Sequence, residues 1–347
     1  MKIIDNPFRG GEKLAENAPY PSTNAERAEE VISATLAVDE TPLTRADGLA
    51  PVADFWIKDE RGRAGLGSFK ALGAAYVIAR HAMDVDPNPS VETLSGRTYV
   101  TASAGNHGLS LAFGARKFGA QSVVYIAETV PEGFADRLRE QGAKVAREGS
   151  DYAASMEAAA RYAEESGSIL LSDSSWDGYT ELPHILMEGY QKMAAEACRQ
   201  SADVPTHVFL QAGVGGLAGA VAAYVRRVWG DAPHITVVEP EAAPALQASI
   251  EAGKCVFADG PDSIMGRLDC KEPSLIAVNG LARDADAFLT LTDAQVEEQL
   301  PKMAASGFAT SASGGAGVAA AVREDVRAQV GIDKNSRILC FLSEGEA

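Results

Sequence analysis

Residues 206–240 of this chain, THVFLQAGVGGLAGAVAAYVRRVWGDAPHITVVEP, decide its fold. Two short apolar runs, THVFLQA and HITVVEP, flank a glycine-rich turn and a longer amphipathic run. Short apolar runs of this length predict buried strands, and the amphipathic run between them predicts a helix. A strand, a crossover helix and a second strand form the unit from which parallel sheets are built. The stretch therefore predicts an α/β protein.

The same alternation continues on both sides of this stretch. Five further apolar runs predict strands: RTYVTAS (97–103), QSVVYIAE (121–128), AKVAREG (143–149), SILLSD (168–173) and RILCFLS (337–343). Amphipathic runs predict five more helices, which cover residues 109–119, 132–142, 151–167, 180–200 and 314–330. This pattern predicts largely parallel, twisted sheets with helices on both faces.

The composition limits the possible functions. The 347 residues carry 31 basic and 48 acidic side chains, which gives a formal net charge of -17. A chain of this length is expected to form two domains or one large one, with a core that needs no disulfide or metal. The acidic balance argues against nucleic-acid and anionic-membrane partners, because phosphate binding requires a basic surface. It remains compatible with a single anion-binding pocket.

Cysteine and histidine spacing and the N-terminal segment indicate the compartment. Four cysteines lack the spacing of a disulfide framework or a zinc ribbon, and the five histidines are dispersed. These features predict no metal site and fit a reducing compartment. The start, MKIIDNPFRGGEK, has charge and proline where a signal peptide needs an apolar core, and no run of about 18 apolar residues occurs. We expect a cytoplasmic protein without a membrane partner.

Ligands of parallel α/β proteins bind on the loops that follow the strands, so these loops hold the candidate site residues. The segment GLGSFK (65–70) places Lys70 at a predicted helix start. A helix N-terminus disfavours a cation, so the segment predicts a neutral amine, which is the form that attacks a carbonyl to make a Schiff base. The alternative is an ordinary exposed lysine near a helix start.

Two further loops are typical of anion sites at helix N-termini. TASAGNHG (101–108) is suited to a carboxylate, and we expect His107 to be structural rather than catalytic. GVGGLAG (213–219) is suited to a phosphate, because glycines let the backbone approach it closely. The second loop also matches a dinucleotide fingerprint, with Glu239 at the end of the next strand, so a nicotinamide-dependent oxidoreductase is an alternative. A fourth loop places Ser343 after the last strand, where its hydroxyl could bond a ring nitrogen.

Taken in order, these motifs resemble the fold type II pyridoxal-phosphate (PLP) enzymes of the tryptophan synthase β and threonine dehydratase superfamily. Segments that look like those of its diaminopropionate ammonia-lyase branch are TPL (41–43), WIKDE (56–60), GLGSFKALG (65–73), GNHG (105–108), WDGYT (176–180), PTHVFLQAGVGGLAG (205–219), VEPE (238–241) and SIMGRLDCKEP (263–273). The resemblance covers nearly the whole chain.

The resemblance implies a function and a cofactor. It implies α,β-elimination of a β-substituted amino acid, 2,3-diaminopropionate-like or a 3-hydroxy amino acid, to a 2-keto acid and ammonia. The cofactor would be pyridoxal 5'-phosphate. Threonine or serine dehydratase and racemase activities are alternatives in the same class, whereas a non-catalytic binding module has no support in the sequence.

The resemblance also implies residue roles. Lys70 would form the Schiff base and act as acid and base at Cα, and Asp173 would meet the reacting end of the substrate. Asn106 would bond the 3' oxygen of the pyridine ring, and Ser343 would face the ring nitrogen. The phosphate would be held by Gly213, Val214, Gly215, Gly216 and Leu217, and the substrate carboxylate by Ser103, Ala104, Gly105, Asn106 and His107.

Three positions depart from the pattern of the family. Ala104 stands where diaminopropionate ammonia-lyases look to carry an aspartate. The sequence therefore leaves open whether the substrate has a β-amino group and which enantiomer it is. Ser313 stands where many relatives carry a glutamate near the ring. Cys270 has no nearby partner cysteine, so we expect free thiols.

The resemblance implies an inserted domain. A large domain would comprise residues 1–86 and 175–347, and a smaller one residues 87–174, with PLP in the cleft between them. The proline-rich DPNPS (86–90) is the first predicted crossing point. Relatives are often homodimers, and the resemblance implies a homodimer here.

Overall fold

The computed structural model describes residues 1–346, which form an α/β fold with two sheets. The strands are β1 (Lys2–Asp5), β2 (Leu43–Arg45), β3 (Asp54–Asp59), β4 (Thr98–Ala102), β5 (Gln121–Ile126), β6 (Lys144–Arg147), β7 (Ile169–Leu170), β8 (His207–Gln211), β9 (His234–Pro240), β10 (Ala287–Leu291) and β11 (Arg337–Leu342).

The α-helices lie between these strands. They are α1 (Ala25–Val31), α2 (Ala74–Val85), α3 (Asn106–Lys117), α4 (Glu132–Glu140), α5 (Tyr152–Ser166), α6 (Glu181–Gly189), α7 (Gln191–Gln200), α8 (Gly216–Trp229), α9 (Ala245–Ala252), α10 (Leu275–Asp284), α11 (Asp293–Glu297), α12 (Leu300–Ala305), α13 (Ala312–Val322) and α14 (Glu324–Gln329). Two 3-10 turns, Glu60–Gly65 and Phe69–Leu72, precede α2.

The larger sheet has seven strands in the order β1-β10-β9-β8-β11-β3-β2. Its five inner strands are parallel, and the two edge strands are antiparallel to their neighbours. The central strand β8 is buried at every residue, as expected for a parallel strand covered on both faces. The smaller sheet is fully parallel, in the order β6-β5-β4-β7. The predicted fold class is therefore confirmed.

The smaller sheet comes from residues 98–170, and the larger sheet comes from both ends of the chain. The smaller sheet thus falls within the range 87–174 that the sequence assigns to an inserted domain. The domain bounds themselves stay a prediction. Within residues 1–346, no helix has the length and apolar character needed to cross a membrane.

Two predicted helices are interrupted in the structure. The helix predicted over 180–200 breaks at Tyr190 into α6 and α7. At the preceding Gly189, a Cβ atom would lie 2.0 Å from the carbonyl oxygen of Leu72, so only glycine lets this helix meet the turn that contains Lys70. The helix predicted over 314–330 breaks at Arg323, whose backbone is extended (φ -78°, ψ 132°).

Candidate active site

The candidate site residues all follow the carboxyl ends of parallel strands. Asp59 ends β3 and leads into the segment with Lys70, and Ser343 follows β11. The loop 103–105 follows β4, Asp173 follows β7, and the glycine loop follows β8. Strands from both sheets therefore direct their following loops to one place.

Lys70 lies in the 3-10 turn Phe69–Leu72 and not in the helix itself, because α2 begins only at Ala74. The Ser68 hydroxyl caps this turn and accepts a hydrogen bond from the Lys70 backbone N–H at 3.1 Å. The turn is also tied to the C-terminal segment, since the Phe69 N–H donates to the Ser343 carbonyl oxygen at 3.0 Å. The position of Lys70 is thus fixed from both sides.

The Lys70 amine forms an ion pair with the Asp173 carboxylate from the smaller sheet. Burial alone would lower the pKa of Lys70, but Asp173 and the nearby Tyr190 outweigh it and raise this pKa above its ordinary value. Burial likewise would raise the pKa of Asp173, and Lys70 instead holds it well below its usual range. The expectation of a neutral amine is therefore wrong for the cofactor-free chain, because a carboxylate lies beside it.

The glycine loop forms an uncapped helix N-terminus. Gly215, in the left-handed region at φ +95°, precedes α8, and no side chain caps this end. The backbone N–H groups of residues 216–218 make no hydrogen bond within residues 1–346. At Gly213, a Cβ atom would lie 3.0 Å from the Cys270 sulfur and 3.1 Å from the Arg267 carbonyl oxygen. The loop therefore offers free donors, and a side chain at Gly213 would be tightly packed against Cys270 and Arg267.

The loop before α3 has a similar arrangement. The Ser103 N–H donates to the Tyr125 carbonyl oxygen at 3.1 Å, so it is not free for a ligand. The N–H groups of Ala104, Asn106 and His107 make no hydrogen bond within residues 1–346, and the Gly105 N–H donates only to the Ser103 hydroxyl at 3.3 Å. Several N–H groups of this loop can therefore receive a carboxylate.

His107 is buried, and its Nε2 lies 2.8 Å from the Leu171 carbonyl oxygen. Because a carbonyl oxygen accepts, Nε2 carries the proton and Nδ1 is unprotonated; Nδ1 has no partner within residues 1–346. Burial lowers the pKa of His107, so the ring is neutral at pH 7. This arrangement fits the predicted structural role, with the backbone N–H left for a ligand.

Asn106 and Ser343 converge on the end of β11. The Asn106 amide donates to the buried Glu344 carboxylate, which also accepts from the Ser311 hydroxyl and, at 2.9 Å, from Arg267 Nη1. The Ser343 hydroxyl makes no hydrogen bond within residues 1–346. Contacts therefore link Lys70 to Asp173, Phe69 to Ser343 and Asn106 to Glu344, the residue after Ser343.

Sequence reasoning missed three residues at the site. Glu344 and Arg267 lie in segments that the family resemblance marked without assigning them roles. Tyr190 lies in a predicted helix and gave no signal; its ring centroid is 6.0 Å from Lys70 Nζ. Its buried hydroxyl has no partner within residues 1–346, and burial raises the pKa of this phenol to about 12. A phenol with this pKa is a neutral hydrogen-bond donor at pH 7.

These features fit pyridoxal phosphate. The uncapped end of α8 supplies N–H donors and a favourable dipole for the phosphate. Lys70 supplies a primary amine for the aldehyde, and the unpartnered Tyr190 and Ser343 hydroxyls supply further polar contacts. Fold and site together define a class, the PLP-dependent enzymes in which two α/β sheets surround the cofactor.

Comparison with known proteins agrees with this class. Residues 34–344 match the family described as "Pyridoxal-phosphate dependent enzyme", and the chain belongs to that family. The chain is 32% identical to diaminopropionate ammonia-lyase of Salmonella typhimurium over 325 residues, which is 84% of this chain and 80% of the relative. It is 29% identical to a probable D-serine dehydratase of Chromobacterium violaceum, over 70% of this chain and 59% of the relative.

A solved structure of a PLP-dependent enzyme has a similar fold. Diaminopropionate ammonia-lyase of Escherichia coli, in complex with an aminoacrylate-PLP azomethine reaction intermediate, superposes with a TM-score of 0.87 at 28% identity, over 99% of this chain and 93% of that one. The predicted cofactor, pyridoxal phosphate, and the predicted enzyme class, a PLP-dependent lyase of the ammonia-lyase and dehydratase group, are confirmed.

The nicotinamide alternative is not supported. Glu239 is fully buried, and its two carboxylate oxygens accept the N–H groups of Leu246 and Gln247, each at 2.8 Å, at the start of α9. It therefore caps a helix and is not available to bind a ribose. All four cysteines are free thiols in the structure, as the sequence led us to expect.

Proposed function

We propose that this enzyme removes the α-proton and the β-substituent of a β-substituted amino acid and yields a 2-keto acid and ammonia, with Lys70 and Asp173 as its catalytic residues. The observation that carries this proposal is the Lys70–Asp173 ion pair, which lies beside two uncapped helix N-termini. One end suits the phosphate of the cofactor, and the other suits the carboxylate of an amino acid.

The chain contributes positioning and proton transfer. When bound, PLP supplies an electron sink that makes the α-proton of the amino acid acidic. Residues 213–217, the glycine loop and the start of α8, would hold the phosphate, and Ser343 would meet the ring nitrogen as a neutral hydroxyl. The N–H groups of Ala104 to His107 would hold the substrate carboxylate. These contacts fix the Cα–H bond relative to Lys70.

Two side chains would move protons. The Lys70 amine would accept the proton from Cα once its own charge has been lost. The Asp173 carboxylate would then relay this proton from Lys70 to the group that leaves Cβ. General acid–base help of this kind contributes about 10²–10⁴-fold to a rate. The released enamine takes up water and loses ammonia, which leaves the 2-keto acid.

The experiment is a comparison of purified wild-type enzyme with Lys70→Ala. We expect wild-type enzyme to show the visible absorbance of an imine, to lose it on borohydride treatment, and to release ammonia and keto acid from one member of a panel of β-substituted L- and D-amino acids. Lys70→Ala should lack both the absorbance and the turnover. Lys117→Ala, an exposed lysine in the last turn of α3, is the control and should behave as wild type.

Two expectations concern the whole protein. We propose a homodimer in the cytoplasm. A mass in solution of twice the 36.3 kDa chain would support the dimer, and a single-chain mass at micromolar concentration would contradict it.

A further inference from the structure

Arg267 is a cation inside the cleft that the proposed mechanism does not use. Its backbone lies close to the glycine loop (213–219), which we call the phosphate loop from here on. A Cβ atom on Gly213 would lie 3.1 Å from the Arg267 carbonyl oxygen. Its side chain extends to the substrate loop (101–108), where Nε lies 3.9 Å from the Cβ position of Gly105. Arg267 Nη1 donates to Glu344, beside Ser343. Arg267 therefore lies near the loop 213–219, the loop 101–108 and the segment that follows β11.

One edge of this guanidinium is free. The bond from Nη1 to Glu344, at 2.9 Å, is its only side-chain hydrogen bond within residues 1–346, so Nε and Nη2 donate to nothing there. Nε and Nη2 form one edge of the planar guanidinium fork, and this edge matches the two oxygens of a carboxylate. The side chain is 30% exposed, so a small solute in the cleft can contact it.

The charges around the cleft indicate what this edge binds. The substrate loop, TASAGNHG (101–108), has no acidic residue, so it offers no counter-ion to a second ammonium group. Of the nearby carboxylates, Glu344 already accepts three hydrogen bonds. Asp173, which pairs with Lys70 in the cofactor-free chain, is assigned in the proposed mechanism to the group that leaves Cβ. The α-carboxylate of the substrate is provided for by N–H groups. The free edge of Arg267 therefore remains for a second anion.

We infer that the substrate of this enzyme carries a second carboxylate on Cβ, which Arg267 binds through Nε and Nη2. The inference rests on the proposed elimination. It selects a 3-hydroxy dicarboxylic amino acid over 2,3-diaminopropionate, whose β-ammonium would face a guanidinium. With 3-hydroxyaspartate, the α-proton passes to Lys70, and the same proton then joins the departing β-hydroxyl, which leaves as water. Hydrolysis of the enamine consumes one water, so the net products are oxaloacetate and ammonia.

Binding without turnover tests the inference on the holoenzyme. L-Aspartate has the second carboxylate but no group that can leave Cβ, and L-alanine lacks both. Titrations followed by the visible absorbance of the cofactor should give a dissociation constant for L-aspartate about 10²-fold below that for L-alanine, as expected for a charge-assisted bidentate pair. Arg267→Gln should abolish this difference. Arg267→Lys keeps a cation for Glu344 but loses the fork, and should retain about 10-fold.

Measurements of turnover show whether Arg267 recognises the substrate or only supports Glu344. We expect Arg267→Gln to lower the ratio of kcat/KM for 3-hydroxyaspartate to kcat/KM for serine by on the order of 10²-fold. The control is Arg161→Gln, which removes an exposed ion pair with Glu148 and should change neither value. Equal losses for both substrates in both Arg267 variants would mean that Arg267 only supports Glu344, and would overturn the inference.

A wild-type enzyme that binds L-aspartate no better than L-alanine would also overturn it. Failure of the proposed function gives a different result, because the absorbance titration still reports binding when no amino acid releases a keto acid. A selective loss of L-aspartate binding in Arg267→Gln would then support the carboxylate site even without elimination.

Discussion

Lys70 and Asp173 hold each other in the charged state when no cofactor is attached to the amine. The pair is partly buried, and each side chain shifts the pKa of the other in the direction that keeps both ionised. Only the neutral amine attacks an aldehyde, so this pair slows the first reaction of the chain with its cofactor. The pair ends when Lys70 becomes an imine, which leaves Asp173 free to meet the substrate.

Asp173→Asn separates these two roles. Asp173 raises the pKa of Lys70, so its removal lets burial lower that pKa and increases the fraction of neutral amine at pH 7. We expect apoenzyme of the variant to form the imine faster than wild type at pH 7, measured as visible absorbance after PLP is added. The steady-state elimination rate should instead fall by about 10²–10⁴-fold.

Asp177→Asn is the control for this prediction. Asp177 lies in the same loop and accepts a hydrogen bond from Asn17 at the surface, so neither rate should change. Slower imine formation in Asp173→Asn would contradict the assignment of Asp173 as the group that keeps Lys70 protonated.

Gly215 is the residue that shapes the phosphate loop. Its φ of +95° disfavours any side chain, and an added Cβ would lie 2.7 Å from the Cβ of Ala277. We expect Gly215→Ala to weaken PLP binding by at least about 10-fold, because the loop must shift and its N–H groups move away from the phosphate. Equilibrium titration of apoenzyme with PLP measures this. Gly133→Ala, with open space around it in α4, is the control and should bind normally.

At the residue scale, a site residue could be predicted from the sequence where it directly follows a predicted strand. Ser343 and the glycines of the loop 213–219 were found in this way, whereas Lys70 was found from its position at a predicted helix start and from the family resemblance. Tyr190 and Arg267 were not, because they enter the cleft from a helix break and from a long loop between α9 and α10. Only packing against segments that are distant in the sequence places them there.

At the scale of elements, a buried cluster of charges fixes the 3-10 turn Glu60–Gly65, which leads into the lysine segment. Arg63 donates to Glu60 and to Glu196, and Lys58 also pairs with Glu196; all four side chains are fully buried. The cluster ties β3 and this turn to α7, which follows the break at Tyr190. It therefore links the elements on either side of the lysine.

Replacing Glu196 with Gln tests this cluster. Burial alone would raise the pKa of Glu196, but Arg63 and Lys58 lower it to about 2. A carboxyl with a lowered pKa stabilises the fold above its ordinary pKa of 4.5, and this contribution is lost as pH falls toward about 2. We expect Glu196→Gln to lower the free energy of unfolding by about 3–5 kcal/mol at pH 7 and by much less near pH 2.

Denaturant titrations from pH 7 to pH 2 measure this difference. Glu157→Gln, on the exposed face of α5, is the control and should stay within about 0.5 kcal/mol of wild type at every pH. A constant difference between Glu196→Gln and wild type across this range would show that the carboxylate charge is not what stabilises the cluster.

Periodicity located most helices and strands but could not find their breaks. An apolar face continues through residues 180–200, so the sequence predicts one helix there. The break at Tyr190 lies next to a contact across the fold, the close approach of Gly189 to Leu72, which the sequence does not show. Four strands, β1, β2, β3 and β10, were also missed. Two of them, β1 and β2, are edge strands of three or four residues, which carry little periodic signal.

At the scale of the whole molecule, polar contacts at the site join the parts of the chain that carry the two sheets. The Lys70–Asp173 pair and the Asn106–Glu344 hydrogen bond each join a residue that follows a strand of one sheet to a residue from the other part of the chain. The net charge of -17 does not oppose the anions bound there. Backbone N–H groups and helix dipoles provide the local positive potential that formal charge omits.

Cofactor binding should therefore stabilise the molecule as a whole. A ligand that binds only the folded state adds about 2.7 kcal/mol at one hundred times its dissociation constant. We expect the Tm of apoenzyme to rise with PLP concentration. Inorganic phosphate should raise it less, since it occupies only the end of α8.

Lys70→Ala should keep a part of the PLP effect on Tm, because the phosphate loop is intact in that variant, whereas Gly215→Ala should lose most of this effect. Thermal denaturation at several ligand concentrations provides the measurement, and an unchanged Tm with PLP in wild-type apoenzyme would contradict a cofactor site between the two sheets.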